Sequence, residues 1–151
     1  MEMLDMLGLI YSGALAEVVS TISGIHLQVE TRETEHDFDE VTGVMYLSGK
    51  KSGMLFVSAN EPDVRVLCSH IIGVPLDEIT RDDIYDSMCE LVNMTAGSAK
   101  LRLSHTDYMF ALSQPFVLKG KDVSIVTKSI THVVSGVLSG GGISVKFKAV
   151  Y

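Results

Sequence analysis

Residues 85–97 read Y-D-S-M-C-E-L-V-N-M-T-A-G. Wound as a helix at about 100° per residue, Asp86, Glu90, Asn93, Gly97 and Lys100 fall within a stripe about 80° wide. An asparagine carries a donor and an acceptor on a short stem. It can hold an attacking water in place, but it cannot take that water's proton at neutral pH. A glutamate one turn earlier can grip a cation on a partner. The small residues Ala96 and Gly97 would let that partner approach the helix closely. Read from these residues alone, the stripe fits an ordinary solvated face carrying a helix-weakening asparagine equally well.

The helix that must carry the stripe has a clear start. Thr80-Arg81-Asp82-Asp83 resembles a capping box, with an acid three residues after the threonine. Apolar spacing then continues to about Leu101 or Leu103. Ile84, Met88, Leu91, Val92, Thr95 and Ala99 lie opposite the stripe and form the expected core-facing side. Upstream, Leu7 to Ser23 shows helical spacing and is stopped by Gly24. Ile25 to Arg32 reads as a strand. The acidic run 30–40 reads as a solvated turn or strand edge. Val44 to Leu47 and Met54 to Val57 flank S-G-K-K-S-G as a hairpin. Pro62 opens a short helix that ends at Gly73. Apolar segments follow near 109–118, 130–138 and 143–150. The last alternates, with Ile143, Val145, Phe147 and Ala149 on one face and Ser144, Lys146 and Lys148 on the other. One sheet face is therefore expected to be buried and the other partly wet.

Two of these pieces echo each other. G-A-L-A-E-V-V-S-T-I-S-G (13–24) and D-S-M-C-E-L-V-N-M-T-A-G (86–97) align at a constant offset of 73 residues. Glu17 falls on Glu90, Ser20 on Asn93 and Gly24 on Gly97. Each piece is followed by a strand and a hairpin. The chain therefore reads as one domain, 1–151, made of two internally similar halves, about 7–60 and 80–151, joined by a short helix. This predicts an α+β two-layer sandwich. Two long pseudo-symmetric helices would pack on one face of a roughly six-stranded, mainly antiparallel sheet.

Bulk properties narrow the function. The chain has 151 residues, 46% of them apolar, enough for one domain with a core. With 12 Lys and Arg against 19 Asp and Glu, the net charge is −7. That disfavours nucleic acid or anionic lipid as a main partner. Cys68 and Cys89 lack metal spacing and read as reduced core thiols. No basic N-terminal region precedes an apolar stretch as in a signal peptide, and no apolar run approaches the roughly 18 residues a membrane helix needs. A cytoplasmic protein without a membrane or nucleic-acid partner is expected.

D-S-M-C-E-L-V-N-M-T-A-G-S-A-K (86–100) closely resembles the D-x-x-x-E-x-x-N signature of the CheC/CheX/FliY phosphatases, which act on the phosphorylated chemotaxis response regulator CheY. S-Q-P-F-V-L-K-G-K-D (113–122) is similar to the S-x-P-x-x-x-x-G segment of the CheX branch. CheC and FliY members typically carry the motif twice. Here the first copy reads E-V-V-S, so the motif occurs once, which resembles CheX with its one functional site per chain. The resemblance implies a phosphatase that binds a phosphorylated CheY-like receiver and hydrolyses its aspartyl phosphate, ending a chemotaxis or other two-component signal. It implies that Asn93 enters the receiver's active site and orients the in-line water, while Glu90 pairs with the receiver's conserved lysine. Met94 would add an adaptable apolar contact and Gly97 clearance. Asp86 would either assist docking or only cap and solvate the helix. The resemblance implies no cofactor of the chain's own; the Mg²⁺ would sit on the receiver. It also implies a homodimer.

Two other classes stay open at this level: a non-catalytic receiver-binding adaptor, and an interaction module whose stripe only packs on another chain. A nucleotide site is not expected at G-K-K-S-G (49–53), where the phosphate-loop spacing fails and no helix pattern follows. None of His26, His36, His70, His105 and His132 has metal-binding spacing.

Overall fold

Strand β1 (Gln28–Glu30) lies at the edge of a sheet that continues through β6 (Val133–Gly140), β7 (Ile143–Val150), β3 (Gly53–Ala59), β2 (Val41–Gly49) and β4 (Phe110–Ala111), with β5 (Phe116–Lys119) also paired to β2. The computed structural model describes residues 2–30, 37–126 and 128–151. In chain order the elements are α1 (Met3–Ser23), β1 (Gln28–Glu30), β2 (Val41–Gly49), β3 (Gly53–Ala59), α2 (Glu61–Ile72), α3 (Arg81–Arg102), β4 (Phe110–Ala111), β5 (Phe116–Lys119), β6 (Val133–Gly140) and β7 (Ile143–Val150). Every strand pair is antiparallel. Among the described residues the sheet has seven strands but is six positions wide, because β4 and β5 both pair with β2. β5 takes Val41–Val44 and β4 takes Ser48–Gly49. The expected α+β two-layer sandwich is the observed fold. Thr31–His36, most of the acidic run, lie outside the described residues.

Caps and turns behave as their chemistry requires. The Thr80 hydroxyl accepts from the Asp83 N–H at 3.1 Å, and the Asp83 carboxylate accepts from the Thr80 N–H at 2.9 Å. This reciprocal pair satisfies two donors that the start of α3 would otherwise leave bare. Lys100 and Arg102 sit in its last turn, where the helix dipole favours cations. Between β6 and β7 the two-residue turn Gly141-Gly142 has φ of 58° and 83°. Positive φ at both positions matches the strand twist, and glycine adopts it without strain.

The helices cover one sheet face. Leu7, Tyr11, Leu15 and Val19 of α1 and Ile84, Met88, Leu91 and Val92 of α3 bury against Met45, Leu47, Leu55, Val57, Val145 and Phe147. Each such side chain removed from water contributes on the order of 1.5–3 kcal/mol. One expectation is corrected by α1. Its 21 residues are long and apolar enough, by length and composition alone, to cross a membrane. In this fold its apolar side is a core face.

The opposite sheet face is less wet than the strand alternation implied. Phe38 folds over Val44, Phe56 and Val150 as a second small core, with the Phe38 and Phe56 ring centroids 5.0 Å apart. Beside it Lys146 pairs with Asp39 at 3.0 Å and Lys148 with Asp37 at 2.8 Å. The polar rung Thr42–Ser58 is internally bonded at 2.9 Å and buried.

Candidate functional site

The stripe on α3 faces outward because the other side of the helix is pressed onto β2. A Cβ built on Gly43 would stand 2.9 Å from the Met88 carbonyl oxygen and 3.1 Å from the Val92 Cβ. Only a residue without a side chain lets α3 settle this low. All six residues expected on the core side of α3 are buried. Thr95 satisfies its hydroxyl by donating to the Leu91 carbonyl at 2.8 Å.

Asp86 and Glu90 are exposed, while Asn93, Met94 and Gly97 are half-buried. Asp86 and Glu90 form a ridge between two grooves. One, of about 480 Å³, is lined by Ile22 of α1, by His70, Ile71 and Ile72 at the end of α2, and by Ser87 and Met94 of α3. The buried Ser87 hydroxyl has no hydrogen-bond partner among the described residues. The other groove, of about 360 Å³, is lined by Cys89, Asn93 and the loop Ser113-Gln114-Pro115. That loop is held in place because Ser113 Oγ–H donates to the Tyr46 carbonyl of β2 at 2.7 Å. The next strand is steadied against α3 by the Lys119 ammonium, 5.9 Å from the centre of the Tyr85 ring.

None of the Asp86, Glu90 and Asn93 side chains makes a hydrogen bond or ion pair among the described residues. On a helix, side chains three apart have Cβ atoms about 5–6 Å from each other. Glu90 and Asn93 therefore present an acid and an amide side by side to solvent, without an internal partner to compete. Gly97 lies beyond both grooves. A Cβ there would meet nothing within 4 Å, so the chain's own packing does not demand glycine at this position.

Three details differ from the sequence reading. Ala96, expected to clear room for a partner, is fully buried in the core; only Gly97 of that pair faces out. Lys100 leaves the stripe and borders a separate groove with Lys50, Thr106 and Asp107. Of the two cysteines expected in the core, Cys68 is buried and donates to the Asp83 carbonyl. Cys89 instead lines the groove beside Asn93. Burial, and then the Asp86 carboxylate, push its thiol pKa up, which keeps it protonated and unreactive. Gln114 and Pro115 are groove residues that position reasoning did not place. Their one signal was the S-Q-P segment itself. Among the described residues, no three His, Cys, Asp or Glu side chains converge to hold a metal ion.

A family model described as "Chemotaxis phosphatase CheX" matches residues 41–137. No curated protein sequence matches. Among solved structures, the fold is similar to chemotaxis protein CheX from Desulfovibrio desulfuricans, with a TM-score of 0.80, 21% identity, and coverage of 97% of this chain and 99% of that one. CheX from Vibrio vulnificus gives 0.82 at 18% identity, covering 96% and 98%. The CheX–CheY–BeF3–Mg²⁺ complex from Borrelia burgdorferi gives 0.71 at 14% identity, covering 93% and 94%.

Proposed function

The chain belongs to the family of the chemotaxis phosphatase CheX, and from that premise we propose that Asn93 and Glu90 of α3 are the residues with which it works. Its reaction is hydrolysis of the aspartyl phosphate on a phosphorylated CheY-type receiver domain. Phosphoryl transfer to water passes through a loose transition state, so catalysis consists of positioning and charge stabilisation rather than strong base chemistry. An amide suits that task. Asn93 can accept from the attacking water and donate to a phosphoryl oxygen, and it is neutral. A carboxylate at the same place would repel the phosphoryl group.

Glu90 serves docking. Its carboxylate is exposed and has no ion-pair partner among the described residues, so pairing with the receiver's lysine breaks no such internal pair. Such complementary pairs fix register and raise the association rate. Met94 borders the apolar groove and adds an adaptable contact. Gly97 leaves the helix surface low, and Asp86 extends the acidic ridge that meets the receiver's cation. The Mg²⁺ in this reading is the receiver's own.

The observation that carries this reading is the Asn93 groove. One wall is the stripe of α3 and the other is the Ser113–Pro115 loop, so both segments that resemble the family border one cavity. The test mixes a Mg²⁺-loaded, phosphorylated CheY-type receiver with the protein and follows phosphate release. Release is expected to accelerate with the parent and to return to the receiver's own rate with Asn93→Ala. Equal acceleration by both would refute the assignment.

The same proposal extends to organisation. The strand order reads the same from either end when the halves about 7–60 and 80–151 are exchanged, with β1 swapped for β5, β2 for β6 and β3 for β7. This supports a single domain built from two similar halves. A homodimer is proposed through a sheet edge: β5 exposes Phe116 and Leu118, and edge strand β1 exposes Val29. Sedimentation at micromolar concentration would show twice the chain mass. Both cysteines are free thiols, which supports a reducing cytoplasmic location.

A further inference from the structure

Glu17 holds on α1 the place that Glu90 holds on α3, yet its surroundings are the reverse. Its carboxylate accepts from the Arg102 guanidinium and, at 3.4 Å, from the Ser98 hydroxyl. Both donors stand near the end of α3, so the ion pair bridges the two long helices. The guanidinium gets there by lying across Gly13. A Cβ built on Gly13 would collide with Arg102 Nη1. Gly13 is the residue in register with Asp86. Ser20, in register with Asn93, is also engaged within the chain, its hydroxyl 3.5 Å from His26 Nδ1.

The register that equates the two helices gives Glu90 nothing comparable. The residues 73 positions before Arg102 and Ser98 are Val29 and Ile25. Neither side chain can donate a hydrogen bond. The two copies thus carry the same acid in opposite states, one filled by a cation of the chain and one open.

We propose that Arg102 is an internal occupant of a second receiver-docking position: its guanidinium stands beside Glu17 where a receiver's lysine would pair, and this closes α1 to receivers. A tethered cation acts at millimolar or higher effective concentration, so a receiver at micromolar concentration does not displace it. The chain therefore engages one receiver, on α3, and Arg102 helps set that number. This inference rests on the reading of Glu90 as the docking acid.

Calorimetric titration with a Mg²⁺-loaded, beryllofluoride-activated CheY-type receiver tests it. One site per chain is expected for the parent and for E17Q, at equal affinity. E90Q is expected to lose about tenfold or more in affinity. The double variant S20N/R102Q is expected to show a second site. Undiminished binding by E90Q would overturn the Glu90 reading itself. With E90Q impaired, a tenfold loss in folded E17Q, or a single site in folded S20N/R102Q, would overturn the Arg102 proposal. Hydrogen exchange on the parent complex needs no variant. Protection is expected over 86–97 and not over 13–20; equal protection of both would refute the closure of α1.

Discussion

Gly43 of β2 and Met88 of α3 approach so closely that a Cβ on the glycine would stand 2.9 Å from the Met88 carbonyl oxygen. This contact sets the height of α3 above the sheet. It lies less than one turn from Glu90 and about one and a half turns from Asn93, and it is backbone against backbone, so it cannot be relieved by a rotamer change. Gly43→Ala is expected to cost about 1–3 kcal/mol, as overpacking does, and to lower phosphatase activity in the fraction that remains folded. Urea unfolding alongside receiver dephosphorylation checks both.

Asn93 makes no internal hydrogen bond among the described residues, so replacing it should leave stability alone. Asn93→Ala is expected to reduce stimulated dephosphorylation by roughly a hundredfold, the usual scale for one lost transition-state hydrogen-bond donor. Its melting temperature should stay within a degree or two of the parent's. Asn93→Asp should do no better, because it puts a negative charge against the phosphoryl oxygens. Ser20→Ala should be nearly silent in the same assay.

If Glu90 grips a lysine, its contribution must be electrostatic. Raising ionic strength from about 0.1 M to 1 M shortens the screening length from about 10 Å to 3 Å. The parent should lose receiver affinity over that range, mainly through slower association. Glu90→Gln should start weaker and depend less on salt. Stopped-flow association at several salt concentrations separates the two.

Acid stability should depend on the pairs that hold Phe38 over the sheet. Burial opposes ionisation of Asp37, but the Lys148 ammonium, the Ile125 N–H and the more distant Lys146 outweigh it and hold the carboxyl below its ordinary value of 3.8. A depressed folded pKa means the contribution is complete above the unfolded value and is lost as pH falls through the folded one. The parent is therefore expected to lose stability below about pH 4, more steeply than Asp37→Asn. Denaturant midpoints between pH 2 and 6 test this.

Alkaline stability has the opposite sign. The Tyr11 and Tyr151 hydroxyls are 2.5 Å apart at the edge of the core. Burial pushes both phenols above their ordinary value of 10.0, Tyr151 to about 12. A raised folded pKa gives stability that is complete below 10 and lost as pH rises through the folded value. Tyr151→Phe would strand the buried Tyr11 hydroxyl at a cost of about 1–3 kcal/mol. Adding Tyr11→Phe should recover much of it. A double-mutant cycle by thermal melting reads the difference.

Much of the fold and most of the site are legible in the sequence, because they are written at short range. The Thr80–Asp83 capping box, the glycine stops at Gly24 and Gly73, the alternation of β7 and the outward stripe of Asp86, Glu90 and Asn93 each follow from residues within a few turns of one another. Periodicity also separates the buried face of α3 from its exposed face, with the errors confined to Ala96, Cys89 and Lys100. The echo at 73 residues further implies two long helices on one sheet.

Contacts between distant segments are another matter. That Ser113 bonds to Tyr46, bringing the S-Q-P loop against Asn93, depends on β5 pairing with β2 across about half of the chain's length. That Gly43 lies beneath Met88, that Cys89 borders a groove and that Arg102 rather than a partner holds Glu17 are likewise decided by how α1 and α3 pack together on the sheet. A residue's side on its own helix is set by a local repeat that sequence displays directly. What stands opposite it is set by non-local strand pairing and close packing, which only the folded chain brings about.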